Sequence, residues 1–206
     1  MDSKKRIIII GGGAAGLLAA IRASELGGSV ILIEKMRELG RKILISGKGR
    51  CNVTNDCDRE GFLRAFGREG RFLYSAWDEL DNQKLRELLH AWGCPTVVER
   101  GQRVFPASQS AREVRDLLVT KAEAVGVKIW NDSLVREIKR VKSHFQVTLK
   151  SGVKVEAEKL VLTTGGVSYP GTGSSGDGLK WAEELGHQIV PLRGALVPLV
   201  TEEEGV

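Results

Sequence analysis

Six residues, Gly11-Gly12-Gly13-Ala14-Ala15-Gly16, follow directly on Ile7-Ile8-Ile9-Ile10, and this junction narrows the possible folds more than any other part of the chain. Four isoleucines in a row suit a strand buried on both faces, as in a parallel sheet. Leu17, Leu18 and Ile21, with alanines between them, then make a helix with one broad apolar side, and Gly27-Gly28 stops it. The next apolar run, Val30-Ile31-Leu32-Ile33, reads as a second parallel strand that delivers Glu34 to the carboxyl end of the sheet. Strand, glycine turn, helix, strand and terminal acid in this order predict a dinucleotide-binding βαβ unit, with a glycine-rich turn of no further meaning as the plainer reading.

Each glycine has a separate task in that unit. Gly11 permits the tight turn, a bare Gly13 leaves a pyrophosphate free to approach the backbone amides, and Gly16 lets helix and strand pack closely. The phosphates are expected at the positive start of the helix, over Gly13, Ala14 and Ala15. Glu34 can accept hydrogen bonds from ribose hydroxyls, and its charge repels a 2′-phosphate, which favours FAD or NAD over NADP. Lys35 flanks it.

Lys4-Lys5-Arg6 before the apolar run superficially resembles a secretory leader, but the glycine spacing argues for the βαβ unit instead. No stretch approaches the roughly 18 apolar residues of a membrane span, so no membrane partner is expected. Cys51, Cys57 and Cys94 are too few and too irregular for a disulfide framework, and they point to a reducing, cytoplasmic setting. His90, His144 and His187 are scattered without ligand spacing, so no metal is expected. Neither a phosphate-binding P-loop nor a nucleophile elbow occurs.

The formal charge of +5 invites a nucleic-acid reading until it is located. Between Lys35 and Arg50 stand six basic residues and one acid, and the rest of the chain balances at 25 of each. The whole excess therefore follows the first βαβ unit, where a bound dinucleotide's phosphates would lie. That pattern fits a charged ligand or a solvated loop, and no nucleic-acid partner is expected from it. Within it, residues 40–55 are rich in Gly, Ser, Asn and Arg and read as a binding loop rather than an ordinary helix or strand. Arg41 and Arg50 are planar donors suited to phosphate, Gly47 and Gly49 allow close backbone approach, and Asn52 and Asn55 both donate and accept.

The remaining chain divides by period. Residues 58–126 read as helical: Asp81 caps a helix carrying Leu85, Leu88, Leu89 and Trp92, and Ser110 with Glu113 forms a capping box before Val114, Leu117 and Leu118. Val104 to Ala107 is a short extended piece between them. From 127 to 158 apolar residues alternate, which predicts an antiparallel meander turning at Ser151-Gly152. Leu160-Val161-Leu162 returns to a central strand, and Thr164-Gly165-Gly166 ends it where a cofactor is expected.

The βαβ unit, GRKILISGKGRCNVTN at 40–55, TTGGVSYPGTGSSGDG at 163–178 and ALVPL at 195–199 together resemble the aminoacetone-oxidase-like bacterial flavoproteins, which include a bile-acid reductase. The resemblance runs the length of the chain. It implies FAD as cofactor and a glutathione-reductase-like FAD domain interrupted by inserted domains. By the resemblance Arg41, Lys42, Ser46, Gly47, Arg50 and Asn52 would line the cofactor, and Val135 in the meander would offer backbone groups to the adenine. Ser175-Gly176-Asp177-Gly178 resembles the family's Thr-Gly-Asp-Gly step with serine for threonine; Asp177 there suits either a cofactor contact or a plain helix cap.

The expected architecture is therefore α/β: one Rossmann-like FAD-binding domain over 1–206, with a central parallel sheet, an added meander and a helical segment. Family members run to about twice this length, and the acidic end at 202–206 falls where an inserted substrate domain would begin. The expected activity is hydride transfer between a small-molecule substrate and the flavin, with NAD(P)H or oxygen as redox partner, since a flavin carries the redox step itself. Two alternatives stand beside it: a non-catalytic nucleotide-binding fragment, and a dithiol reductase using Cys51 and Cys57, whose five intervening residues depart from the four of the disulfide reductases. The residues name neither catalytic groups nor oligomeric state.

Overall fold

In the computed structural model, which describes residues 5–194, the apolar run forms strand β1 (Arg6–Ile10), and helix α1 (Ala14–Glu25) leads to β2 (Ser29–Ile33). Lys4, the ALVPL motif and the acidic end at 202–206 lie outside the described residues. The segment read as a loop opens instead with a short helix α2 (Arg41–Ile45) and a 3-10 turn (Ser46–Gly49) before β3 (Thr54–Asn55). Helices α3 (Arg59–Ala65), α4 (Tyr74–Glu79) and α5 (Asn82–Ala91) follow, then the hairpin β4 (Thr96–Glu99) and β5 (Arg103–Pro106), and α6 (Ala111–Ala124). The chain continues through β6 (Lys128–Trp130), β7 (Val135–Val141), β8 (His144–Leu149), β9 (Lys154–Ala157), β10 (Lys159–Leu162) and α7 (Asp177–Glu184).

A four-stranded parallel sheet in the order β10-β1-β2-β6 forms the centre. Its side chains alternate between two cores, as a pleated strand requires. Ile9, Val30 and Leu32 face α1 and α6 with Leu17, Ala20, Ile21 and Leu118, all buried. Ile8, Ile10, Ile31 and Ile33 face the three-stranded meander β7-β8-β9, against Val135, Ile138, Val147 and Leu149. The result is three layers, helix, sheet and meander, with a second small antiparallel sheet, β3-β5-β4, beside the helical layer.

Three expectations change. Val127 and Ile129 do not open the meander: β6 pairs in parallel with β2, Ile31 opposite Lys128 and Ile33 opposite Trp130, because α6 crosses over the sheet and returns the chain in the same direction. The extended piece at 104–107 is half of a hairpin whose other strand, β4, lies inside the segment read as helical. The Ser110 capping box does not form. Ser110 makes no side-chain cap, and Glu113 is engaged by the Ser108 hydroxyl. Asp81 does cap α5, accepting from the Lys84 amide at 2.7 Å.

Candidate dinucleotide-binding site

Between β1 and α1 the chain turns with almost no spare room. Gly11 sits at φ +108°, accessible at little cost to glycine alone, and a Cβ there would lie 2.5 Å from the Thr163 carbonyl oxygen. A Cβ on Gly16 would lie 1.8 Å from the Gly11 carbonyl oxygen. The Thr163 hydroxyl locks the turn by donating to the carbonyls of Ile10 and Gly11 at 3.0 and 2.9 Å. Gly13 differs from both: nothing stands within 4 Å of where its Cβ would be. Helix α1 starts there with no side-chain cap and no acid in its first turn, and the amides of Ala14 and Ala15 have no acceptor among the described residues. Those bare donors sit at the positive end of a twelve-residue helix, which suits an anionic group.

Glu34, at the end of β2, folds back over this turn. Its Oε2 accepts from the Gly12 amide at 2.7 Å and its Oε1 from the Met36 amide at 2.8 Å, so two backbone donors hold the carboxylate in place. Each oxygen keeps a further lone pair for a hydroxyl.

A cleft of about 360 Å³ opens along this edge. Gly11, Gly13, Ala14, Ala15, Glu34, Arg41, Lys42, Ser46, Asn52, Thr164 and Gly165 line it, bringing eleven of the expected residues together from four separate stretches of chain. One wall is apolar, formed by Leu18, Ile43, Val53, Leu85, Leu89, Val114 and Leu118, with Thr163, Thr172, Gly173 and Ser174 completing the rim. The apolar wall went unread because Leu18 on α1, Leu85 and Leu89 on α5, and Val114 and Leu118 on α6 also fit ordinary core positions. An adjoining recess holds Lys35, Val135, Asp177 and Trp181 and shares Gly11, Glu34, Thr164 and Gly173 with the cleft. At about 30 Å³ it has room for a water rather than a base as it stands.

Two lysines strap the 164–177 segment across the cleft. Lys42 donates to the Ser168 carbonyl and the Ser174 hydroxyl at 2.8 and 2.7 Å, and Lys35 pairs with Asp177 at 2.7 Å. Burial alone would raise the Asp177 carboxyl, but hydrogen bonds from Lys35 and Ser175, with the charges of Lys35 and Lys180, hold it below the ordinary carboxylate range. Asp177 thus enters as the partner of a lysine at the start of α7, not as a free carboxylate. Because its folded value lies below its unfolded value of about 3.9, the pair stabilises the protein fully above that pH. The contribution is lost as pH falls through the folded value. Asp177→Asn is expected to lower the urea midpoint at pH 6, by an amount that shrinks as pH falls below the unfolded value, flattening the acid limb of the stability profile.

Gly16, Gly47, Gly49, Arg50 and Gly166 do not line the cleft. Gly47 belongs to the 3-10 turn at φ +55°, where a Cβ would meet the Asn52 amide at 2.7 Å. Arg50 points away. Its guanidinium pairs with Glu99 at 2.9 Å, donates to Gln109 at 2.8 Å and stacks 4.1 Å from the centre of the Phe105 ring. It ties the 46–52 turn to the β4–β5 hairpin, and Asn52, through its amide nitrogen, reaches the carbonyls of Thr54 and Val104 at 3.0 and 3.3 Å. Arg50→Ala is expected to cost about 1–2 kcal/mol of stability, measured by urea denaturation, because the exposed ion pair is worth little and the stack and extra hydrogen bond supply the rest.

Cys51 lines the cleft but is buried, and Cys57 is a separate half-buried thiol; neither is in a disulfide. Burial raises the Cys51 thiol despite a hydrogen bond with Ser46, and Cys94 is pushed up to about 11, first by burial and then by the charges of Glu113 and Cys51. Cys51 is thus a poor thiolate at neutral pH, which weighs against its serving as the nucleophile of a dithiol pair. Among the described residues no group of His, Cys, Asp and Glu could hold a metal ion, and no helix is long and apolar enough to cross a membrane.

Comparison with known proteins gives a family match over almost the whole chain. The HI0933-like protein Rossmann domain matches residues 5–200. The chain is 37% identical over 195 residues to a ribosomal RNA dihydrouridine synthase of Escherichia coli, covering 93% of this chain and 47% of that protein. It is 33% identical over 196 residues to a 3-dehydro-bile acid delta(4,6)-reductase of Clostridium scindens, covering 94% and 47%. The chain thus spans about half the length of the curated relatives it matches. Among solved structures, an open flavocytochrome c3 fumarate reductase superimposes with a TM-score of 0.68 at 21% identity, covering 91% of this chain and 41% of that one, a likeness of fold.

Proposed function

The chain belongs to the HI0933-like protein Rossmann domain family, an FAD-binding Rossmann fold, and from that premise we propose that it is the FAD-binding portion of a bacterial flavoprotein oxidoreductase. The observation that carries this is the Gly13 gap: a helix start whose amides have no partner among the described residues, no side chain in front of it, and a buttressed ribose-side carboxylate next to it. The donors fit the group. Ala14 and Ala15 would hold the pyrophosphate, Glu34 the adenosine ribose, and Arg41, Lys42 and Ser46 the phosphate or ribityl side. The apolar wall from α5 and α6 would exclude water from the ring. When bound, FAD supplies two-electron hydride chemistry at its N5. This chain's residues hold, orient and desolvate it.

The names of the two relatives share one chemistry. Converting uridine to dihydrouridine and saturating a delta(4,6) steroid ketone both reduce a carbon–carbon double bond conjugated to a carbonyl. We assign that reaction class to the whole protein: hydride to the β-carbon, a proton to the α-carbon, and NAD(P)H as the source of the electron pair. A small-molecule enone and a pyrimidine base are both substrates of this class. The three unpaired cysteines fit a cytoplasmic setting.

The test is direct. Purified protein is expected to be yellow, with a flavin absorbance band and one equivalent of FAD released on denaturation. Colourless protein that takes up no added FAD would leave a non-catalytic nucleotide-binding fragment as the better reading.

A further inference from the structure

Residues 59–74 were not absorbed by the cleft. Helix α3 and the 3-10 turn Gly67–Leu73 fold onto each other around Gly70, which is buried and whose Cβ would stand 2.3 Å from the Leu63 carbonyl oxygen. That close approach leaves an open groove of about 740 Å³ lined by Arg64, Arg68 and Arg71 with Tyr74. None of the three guanidinium groups has a hydrogen-bonding, ionic or ring partner among the described residues. Half of the neighbouring acids are engaged elsewhere. Asp58 caps α3 on the Gly61 amide, Asp81 caps α5, and Asp78 pairs with Arg59. Glu69 and Glu79 are exposed acids nearby in the chain, and Glu60 is the one acid that lines the groove, against three arginines. A sequence count of charge sees no excess here, with four basic and six acidic residues over 58–81, yet the groove itself is lined by three arginines and one acid.

Of the nearby rings, Tyr74 lines the groove with Arg59 stacked 5.1 Å over it, and Phe66 and Phe72 are the chain neighbours of the lining residues Gly67 and Arg71. Phe72 is 87% exposed, Phe66 50% and Tyr74 43%, while Phe62 anchors the layer beneath against Phe66 and Trp77 at ring separations of 5.0 and 4.5 Å. Unpaired guanidinium groups beside exposed ring faces are what a single-stranded polynucleotide requires: donors for phosphates and platforms for bases. We propose that the groove of Arg64, Arg68 and Arg71, together with the exposed rings of Phe72 and Phe66 next to it in the chain, is a docking surface for single-stranded RNA. This rests on the pyrimidine-base arm of the proposed function, departs from the expectation of no nucleic-acid partner, and agrees with the name of the Escherichia coli relative.

The test is independent of flavin. A fluorescein-labelled single-stranded RNA oligonucleotide is titrated with the chain across a sodium chloride series, with anisotropy as readout. The triple variant Arg64→Ala, Arg68→Ala, Arg71→Ala is expected to bind at least tenfold more weakly and to lose about 2 from the slope of log affinity against log salt, at about 0.7 per phosphate contact. Phe72→Ala is expected to lose about tenfold with the slope unchanged, as stacking is not ionic. The triple variant Arg64→Lys, Arg68→Lys, Arg71→Lys should retain the slope, which separates charge from misfolding. Equal RNA binding by the wild-type and Ala triple proteins overturns the proposal. So does displacement of RNA by NADPH at matched phosphate concentration, which would make the groove a small-molecule site. FAD uptake by the same variants is a separate measurement, so failure of the flavin reading leaves this result standing.

Discussion

Gly13→Leu is expected to fold normally and hold no flavin. The backbone at Gly13, φ −79° and ψ −173°, is extended, a conformation any residue adopts, and its Cβ would meet nothing within 4 Å. The new side chain therefore enters the cleft without strain and occupies the space in front of the Ala14 and Ala15 amides. Losing the N-terminal glycine costs up to about 1 kcal/mol of helix capping. Losing two or more charge-assisted hydrogen bonds costs the ligand about 3 kcal/mol or more, on the order of a hundredfold in affinity. Thermal melts should move by a few degrees at most, while FAD recovered from the purified variant falls to the background. Undiminished flavin content in Gly13→Leu would remove the pyrophosphate from this helix start.

The contrast between what could and could not be read in the chain follows from how far apart the deciding residues are. Ile7 to Glu34 was legible because every determinant is local: a strand buried on both faces, glycines that a turn requires, a helix of one apolar side. Arg50 was not. Its residue type announces an anion partner, but the choice between a phosphate and Glu99 is made by a hairpin 49 residues away that also supplies the Phe105 ring. The basic segment from Lys35 to Arg50 shows the same limit: Arg41 and Lys42 reach the cleft and Lys35 the recess, whereas Arg50 is spent on the second sheet. Strand β6 was misplaced for a related reason. Val127 and Ile129 alternate identically in a meander and at the edge of a parallel sheet, and only the crossover of α6 decides. The straps from Lys35 and Lys42 join residues more than 120 apart, and no local pattern encodes them.

The largest loss of stability is expected from Gly16→Ala, a change that ordinary helix propensity would favour by about 1 kcal/mol. Gly16 lies in the first turn of α1, and the added Cβ would stand 1.8 Å from the Gly11 carbonyl oxygen and 2.8 Å from the Thr163 hydroxyl. Neither neighbour can yield cheaply. The Gly11 carbonyl belongs to a turn fixed by its φ of +108° and by the Thr163 hydroxyl, which donates to it. Helix α1 must therefore withdraw from β1, opening gaps around Leu17, Ala20 and Ile21, all at most 1% exposed. Overpacking against backbone with loss of that core contact should cost about 3 kcal/mol or more, a large share of the roughly 5–15 kcal/mol that holds a domain of this kind together. Urea denaturation with FAD absent measures it, so that the folding effect is not confused with the ligand's own stabilisation. Gly13→Leu and Gly16→Ala then divide the turn into its two tasks: one residue keeps the cleft open to phosphate, the other lets the helix lie close enough to aim its amides there. Wild-type stability in Gly16→Ala would mean that α1 does not sit on β1 as closely as this turn requires.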